Sequence, residues 1–130
     1  MTMEERAGMA AELKHTGKAN CAQAVLLAFQ DKLGMSEEAL RELGAGFGAG
    51  MGCMEGTCGA LVAAGIAAGI LNKGERNTVA LSRQILAGFN EKSGATICKV
   101  LKGAGTGKVL CECDDCVRNG VKSLMEVIQF

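Results

Sequence analysis

The chain has 130 residues, 48% of them hydrophobic and 22% charged, which suits one globular domain spanning residues 1–130. Lys and Arg total 14, as do Asp and Glu, so no basic excess favours a nucleic acid as partner. The acidic start is unlike a secretory signal, and the longest apolar run, residues 58–71, is too short for a membrane span. We therefore expect a cytoplasmic protein.

The first part of the chain shows helical patterns in succession. A helix is predicted from Met3 to Lys14. Asn20 precedes a second helix, which Gly34 ends, because glycine readily adopts the left-handed conformation that closes a helix. Ser36, followed by two glutamates, is typical of the start of a third short helix, to Leu43.

The middle of the chain combines a glycine-rich segment with two longer helical patterns. Glycine occupies every second position of Gly44 to Gly52, which favours a turn-rich loop. The apolar run from Cys58 to Leu71 is interpreted as a buried core helix. Asn77 or Thr78 begins an amphipathic helix, and Gly94 ends it.

The last third contains a short helix, a loop and a longer helix. Thr96 is expected to cap the short helix, and Gly103 to Gly107 forms a flexible loop. Asp114 or Asp115 begins the last helix, which extends to about Ile128. Since almost no segment alternates as a strand does, we predict an all-α fold: a compact single-domain bundle of about five to seven helices.

Small residues on the Cys58–Leu71 helix indicate a close helix contact. Gly65 and Gly69 lie one turn apart, with Ala64 and Ala68 beside them. Missing side chains allow another helix to approach closely. The partner is either a helix of the same chain or the same helix of a second copy, so a homodimer through the Gly65/Gly69 helix is one of two alternatives.

The inventory of reactive residues points to sulfur chemistry. The chain has one histidine, His15, so a Ser-His-Asp triad or a histidine-rich metal site has almost nothing from which to be built. It has seven cysteines and no export signal, and in such a chain metal or redox chemistry is a better interpretation than a disulfide framework.

Several cysteines follow residues that favour helix N-caps. The pairs are Asn20 with Cys21, Thr57 with Cys58, Thr96 with Cys98, and Asp114 and Asp115 with Cys116, with Cys113 just outside. Free amide N–H groups and the positive end of the helix dipole stabilise a thiolate at such a position. A thiolate is both a better nucleophile and a better metal ligand than a thiol. The alternative is that each cysteine is a small buried hydrophobic residue.

The segment "CECDDC" is the densest cysteine cluster. Cys111, Cys113 and Cys116 give a CxC that overlaps a CxxC. A CxxC is either a dithiol/disulfide pair, here Cys113 with Cys116, or half of a metal site. No second CxxC exists, so a zinc ribbon is not supported.

The order of these motifs resembles that of a known family. "NCAQAVLLAF", "GFGAGMG" leading into "CGALVAAG", "CKVL" and "CDDCV" together are similar to the C-GCAxxG-C-C family of redox-active proteins. The resemblance extends from about Asn20 to the final helix. One position departs from the family pattern: Ala63 stands where the CGAxxG motif has its glycine, which we expect to alter packing and not sulfur chemistry.

The resemblance implies which cysteines matter. Carried over by position, the family cysteines are Cys21, Cys58, Cys98 and one of the final cluster, where Cys113 is favoured and Cys116 is the close rival. Cys53 and Cys111 are then extra cysteines of this chain. Related domains are associated with iron–sulfur centres, so the resemblance implies a redox role and raises that cofactor.

Three functions fit these residues. The first is an iron–sulfur protein for electron transfer or sensing, with Cys21, Cys58, Cys98 and Cys113 as ligands, Cys116 as substitute or resolving thiol, and an unknown redox partner. The second is a thiol–disulfide exchange protein or redox sensor that uses Cys113, Cys116 and Cys58 and needs no cofactor. The third is a structural helical module in which four cysteines hold a zinc ion.

Overall fold

In the computed structural model, which describes residues 1–129, the backbone forms eight α-helices and no β-strand. The helices are α1 (Met3–His15), α2 (Cys21–Ala28), α3 (Gln30–Leu33), α4 (Glu37–Gly44), α5 (Gly59–Asn72), α6 (Thr78–Ser93), α7 (Cys98–Leu101) and α8 (Cys113–Val127). The all-α prediction is confirmed, with slightly more helices than the five to seven expected. None of these helices is both long enough and apolar enough to cross a bilayer.

The extra helix arises where the second predicted helix breaks at Phe29. The backbone of Phe29 departs from helical geometry, with φ −111° and ψ 13°. The guanidinium of Arg6 donates to the carbonyl oxygen of Ala28 at 2.9 Å, and the amide of Lys32 donates to the carbonyl oxygen of Phe29. The chain therefore continues as the separate short helix α3, which Gly34 ends in the left-handed conformation, as predicted.

The glycine-rich segment after α4 is more structured than the predicted loop. It contains a 3-10 turn over Ala45–Phe47 and a π-helical turn over Gly50–Met54. Three residues other than glycine have positive φ here: Ala49 at 51°, Met51 at 65° and Met54 at 66°. Left-handed backbone is costly for residues with a Cβ, so this segment carries local strain.

The core is built around α5, which packs against α2, α6 and α8, while α1 covers α2 and α8. Its buried positions are mostly alanine, a small side chain that allows neighbouring helices to approach closely. The fully buried alanines of this helix are Ala60, Ala63, Ala64, Ala67 and Ala68. The predicted core helix is thus confirmed, with its first residue at Gly59 and its last at Asn72.

The Gly65/Gly69 face of α5 lies beside the start of α6. A Cβ added at Gly65 would lie 3.8 Å from Oγ of Ser82, and one at Gly69 would lie 4.0 Å from Cγ2 of Thr78. These are ordinary van der Waals separations within one chain. A homodimer through this helix stays a prediction.

Candidate redox site

Cys21 is the first residue of α2, and its position follows from a capping box. The side chain of Asn20 accepts a hydrogen bond from the amide of Gln23 at 2.8 Å, and the side chain of Gln23 accepts one from the amide of Asn20 at 2.9 Å. This reciprocal arrangement satisfies two amides at the helix start. The predicted N-cap is confirmed, and it fixes Cys21 at the N-terminus of α2.

Cys58 is itself the N-cap of α5, so the prediction that Thr57 caps this helix is wrong. Thr57 instead forms an isolated antiparallel bridge with Ile97. In this bridge the amide of Cys58 donates to the carbonyl oxygen of Thr96 at 2.8 Å. The N-cap therefore lies one residue later than predicted, at Cys58, and α5 begins at Gly59.

The same bridge fixes Cys98. The amide of Cys98 donates to the carbonyl oxygen of Gly56 at 3.0 Å, and Cys98 then begins the four-residue helix α7. Ile97 occupies the N-cap position, so the predicted cap at Thr96 is wrong. Because the bridge joins the segments before Cys58 and Cys98, it holds these two cysteines near each other.

In the segment with the last three cysteines, α8 begins earlier than predicted. Glu112 is the N-cap and Cys113 is the first helical residue, so Asp114 and Asp115 lie inside the first turn. Carboxylates are stabilised there by the helix dipole. Cys116 lies one turn further into the helix and is fully buried. The expectation that sulfur lies at helix N-termini is thus confirmed for Cys21, Cys58 and Cys98. In the last cluster the first residue of the helix is Cys113, which was expected just outside it, in place of Cys116.

Three glycines allow these helix starts to meet. A Cβ at Gly59 would lie 2.6 Å from the carbonyl oxygen of Phe47, which leaves no room for a side chain between α5 and its neighbour. A Cβ at Gly120 would lie 2.9 Å from the carbonyl oxygen of Ala60. A Cβ at Gly50 would lie 2.5 Å from Cβ of Cys98. Sequence reasoning missed all three, because spacing along the chain does not show which backbones meet.

The four cysteines at helix starts line one cavity of about 340 Å³. The rest of its lining is mainly glycine-rich backbone, with two lysines. The lining residues are Cys21, Cys58, Cys98, Cys113, Lys14, Lys102, Asn20, Gly48, Ala49, Gly50, Met54 and Gly59. Cys53, Cys111 and Cys116 are not among them. The structure therefore places Cys113, and not Cys116, on the cavity with the other three predicted ligands.

One pair of sulfurs inside the cavity is in hydrogen-bonding contact. The thiol of Cys21 donates to the sulfur of Cys113, which lowers the pKa of Cys113 to about 5, and Lys102 adds to this shift. The same hydrogen bond raises the pKa of Cys21, as does its burial. The pair thus favours one thiolate at Cys113 and one thiol at Cys21.

Cys58 has its own sulfur neighbour behind the cavity wall. A hydrogen bond from Cys116 lowers the pKa of Cys58 to about 7, and the amides of Ala60 and Leu61 contribute further. Cys116 is also in hydrogen-bonding contact with the sulfur of Cys111. Its single proton is shared between these neighbours, and these contacts raise its own pKa. At Cys98 burial is the main influence, and it raises the pKa of that thiol.

Lys102 is the cation at the centre of this arrangement. Its Nζ lies 3.3 Å from the carbonyl oxygen of Cys111 and 3.6 Å from Sγ of Cys116. Burial opposes its charge, but the neighbouring sulfurs of Cys116 and Cys113 outweigh burial and raise its pKa. Sequence reasoning missed this residue, although its position four residues after Cys98 indicates that both lie on one face of a helical turn.

All seven cysteines are free thiols in the structure. Within residues 1–129, no three side chains of His, Cys, Asp or Glu are already arranged as a ligand set for a metal ion. Cys113 contacts Cys21, whereas Cys116 contacts Cys58 and Cys111. The predicted dithiol of Cys113 with Cys116 stays a prediction.

Four free thiols on one cavity of a small all-helical chain are what a cysteine-based redox site or a metal site requires. The comparison with family models agrees: the model described as "Putative redox-active protein (C_GCAxxG_C_C)" matches residues 19–127. The chain belongs to this family, and the resemblance found in the sequence is confirmed. The match includes all four cysteines of the cavity. Neither the curated proteins nor the solved structures gave a match.

Proposed function

We propose that the protein binds an iron–sulfur cluster in this cavity and serves in electron transfer or sensing. The ligands are Cys21, Cys58, Cys98 and Cys113. The supporting observation is that these four thiols, carried by four different helix starts, line the same cavity. Cluster ligation requires cysteine thiolates and no histidine, which matches a chain with seven cysteines and one histidine.

The size of the cavity favours a cluster over a single zinc ion. In a tetrahedral zinc site of four cysteines each sulfur lies about 2.3 Å from the metal, so the sulfurs enclose little more than the ion. Here the four cysteines, together with eight other residues, line a cavity of about 340 Å³. A cluster of several iron and sulfide atoms would fill more of such a space, and the same four cysteines would hold it.

The surrounding residues fit an anionic group with thiolate ligands. Lys14 and Lys102 line the cavity and provide positive charge. The helix starts add the positive ends of their dipoles, which stabilise thiolates. Cys113 and Cys58 have lowered pKa values, so they deprotonate most readily, whereas Cys21 and Cys98 release their protons on ligation. When bound, a cluster supplies a one-electron couple.

A second candidate is thiol–disulfide exchange at the wall of the cavity. The observation that favours it is the contact between Cys58 and Cys116, in which Cys58 has a pKa of about 7 and Cys116 supplies the proton of the hydrogen bond. An attacking thiol with a pKa near ambient pH beside a resolving thiol is what this chemistry requires. In this alternative no cofactor is needed.

Elemental analysis of anaerobically purified protein tests the first proposal. We expect iron and acid-labile sulfide in comparable amounts, with visible absorption that bleaches on reduction. Zinc alone would replace the proposal by the structural zinc module. Absence of metal, with free thiols lost in pairs on mild oxidation, would favour the exchange function.

Single substitutions identify the ligands. C21S, C58S, C98S and C113S should each lose most of the iron while circular dichroism shows an unchanged helical content. The matched control is C53S, because Cys53 is exposed and does not line the cavity. C116S should retain iron, and loss of iron in C116S but not in C113S would contradict the proposed ligand set.

A further inference from the structure

A second sulfur pair lies at a separate groove beside α8. The groove has a volume of about 390 Å³ and is lined by residues 109–112, by the first turns of α8 and by Lys92 of α6. Cys111 is the one sulfur among its lining residues. None of the four cavity cysteines lines this groove.

Cys111 and Cys116 form the pair. Cys111 is 7% exposed, whereas Cys116 is fully buried behind it. The sulfur of Cys116 lies 3.6 Å from the carbonyl oxygen of Cys111 and is also in hydrogen-bonding contact with the sulfur of Cys111. The segment that leads into α8 thus holds one sulfur at the groove, and the first turn of α8 holds the other behind it.

Polar groups fix the orientation of both sulfurs. Nδ2 of Asn119 lies 3.7 Å from Sγ of Cys111 and also donates to Oγ of Ser93 at 2.9 Å. Nζ of Lys102 donates to Sγ of Cys116 at 3.6 Å. Hydrogen-bond donors stabilise negative charge on sulfur, both during attack and on departure.

We propose that Cys111 and Cys116 are a dithiol that reduces low-molecular-weight disulfides bound in the groove. The thiolate of Cys111 attacks one sulfur of the substrate, which forms a mixed disulfide and releases one thiol. Cys116 then attacks Sγ of Cys111, which forms the Cys111–Cys116 disulfide and releases the second thiol. Two protein thiols are oxidised, one external disulfide is reduced, and the two protein protons end on the two product thiols.

The burial of the attacking sulfur limits the substrate to small disulfides. With only 7% of Cys111 exposed, a disulfide held on a broad folded protein surface does not reach it, whereas a small disulfide enters the groove. Cys111 is thereby the attacking thiol and Cys116 the resolving thiol. This assignment does not depend on a cluster in the cavity, since neither cysteine is among its proposed ligands.

Disulfide mapping after reaction with glutathione disulfide tests the proposal. The fully reduced, anaerobically purified protein is incubated with the disulfide, blocked with N-ethylmaleimide and digested with two proteases separately. Cleavage after Glu112 separates Cys111 from Cys113 and Cys116, and cleavage before Asp114 or Asp115 separates Cys113 from Cys116. We expect a link between Cys111 and Cys116 in the wild type.

Two variants separate the roles of the pair. C116S should accumulate glutathione on Cys111, because the resolving thiol is missing, and C111S should lose the internal link. The control C53S should form the link as the wild type does, because Cys53 is exposed and distant in sequence. If C116S fails to fold, the wild-type map alone decides.

Other linkage patterns overturn the proposal. A link of Cys116 to Cys58 or to Cys113, a link of Cys21 to Cys113 in place of the expected one, or no link at all would each do so. Iron content is measured on the same preparations. The cluster proposal therefore stands or fails separately from the dithiol proposal.

Discussion

The two ends of α2 are held in opposite ways. At the N-terminal end, glycines allow neighbours to approach closely: a Cβ at Gly48 would lie 2.8 Å from the side-chain Nδ2 of Asn20, and one at Gly59 would lie 3.2 Å from the backbone amide of Ala22. At the C-terminal end, a long side chain reaches across. Arg6, which is 1% exposed, donates to the carbonyl oxygen of Ala28 and pairs with Asp31.

This difference shows what the candidate site requires. Packing by side chains tolerates adjustment, because a neighbouring rotamer can move to fill or vacate space. Contact with a backbone carbonyl does not, since the oxygen is fixed by its own backbone and cannot move as a side-chain rotamer does. The cysteine cavity is therefore the part of the molecule most sensitive to substitutions that add atoms. The C-terminal end of α2, which Arg6 contacts, is most sensitive to substitutions that remove charge.

The largest effect is expected from Gly59→Ala. The added Cβ would lie 2.6 Å from the carbonyl oxygen of Phe47, so the start of α5 must shift. We expect a loss of about 2–3 kcal/mol in the free energy of unfolding, as for overpacked cores. Urea denaturation measures this loss, and iron content should fall with it.

The matched control for Gly59→Ala is Gly65→Ala on the same helix. An added Cβ there meets only Oγ of Ser82, at 3.8 Å. Alanine is the better helix former, so this variant should be unchanged or up to about 1 kcal/mol more stable. Equal destabilisation of both variants would contradict the contrast between close and open glycines.

Arg6→Met should destabilise the C-terminal end of α2 and leave the cysteine cavity unchanged. The substitution removes the hydrogen bond to Ala28 and the contact with the ring of Phe29, whose centroid lies 5.2 Å from the guanidinium carbon. We expect a loss of about 2 kcal/mol, typical of hydrogen bonds to charged groups. Iron content and glutathione reactivity should stay at the wild-type level, and a fall in either would show that the two ends are coupled.

The pair of Arg6 with Asp31 also predicts that the stability of the fold decreases at acidic pH. A hydrogen bond from Arg6 lowers the pKa of Asp31 from its usual value. The unfolded state therefore binds this proton more readily, so the stabilising contribution is present above pH about 4 and is lost as pH falls through the lowered pKa. In Asp31→Asn, urea titrations from neutral to acidic pH should show a smaller decline in stability than in the wild type. An equally steep decline would contradict this role for Asp31.

The smallest effect concerns backbone strain beside the cavity. Ala49 has φ 51°, where glycine is favoured, so Ala49→Gly should stabilise the chain by about 1 kcal/mol. Ala45, also exposed and four residues earlier, has φ −60°, so Ala45→Gly should destabilise it by about 0.5–1 kcal/mol. Thermal unfolding of both variants checks the sign, and equal signs would remove the argument from strain.

Local signals in the sequence predicted the helices well. Asn20, Ser36 and Asn77 each cap a helix through a side-chain hydrogen bond, because an N-cap depends only on the next three residues. Thr57 and Thr96 failed as caps, since their backbones are used in a bridge between segments far apart in the chain. That contact is tertiary, and no local pattern encodes it.

The sequence predicts which cysteines form the candidate site, but not how the fold brings them together. The four cysteines could be chosen from their positions at helix starts and from the resemblance to the family. Their shared cavity depends on Gly59, Gly120 and Gly50, each of which meets a residue distant in sequence. Pairing between thiols, such as Cys111 with Cys116, likewise depends on how α8 enters the bundle.

Cys116 contacts a cysteine of the cavity and a cysteine of the groove, so it connects the two sites. Its sulfur is in hydrogen-bonding contact both with Cys58 on the cavity and with Cys111 at the groove, and its one proton is shared between them. Oxidation of Cys116 at the groove removes the donor that stabilises the thiolate of Cys58. By thermodynamic linkage the influence is reciprocal, so whatever binds Cys58 changes the ease of that oxidation by the same free energy. Through this one buried sulfur, a ligand bound at the cavity changes the redox chemistry of the groove, and oxidation at the groove changes binding at the cavity.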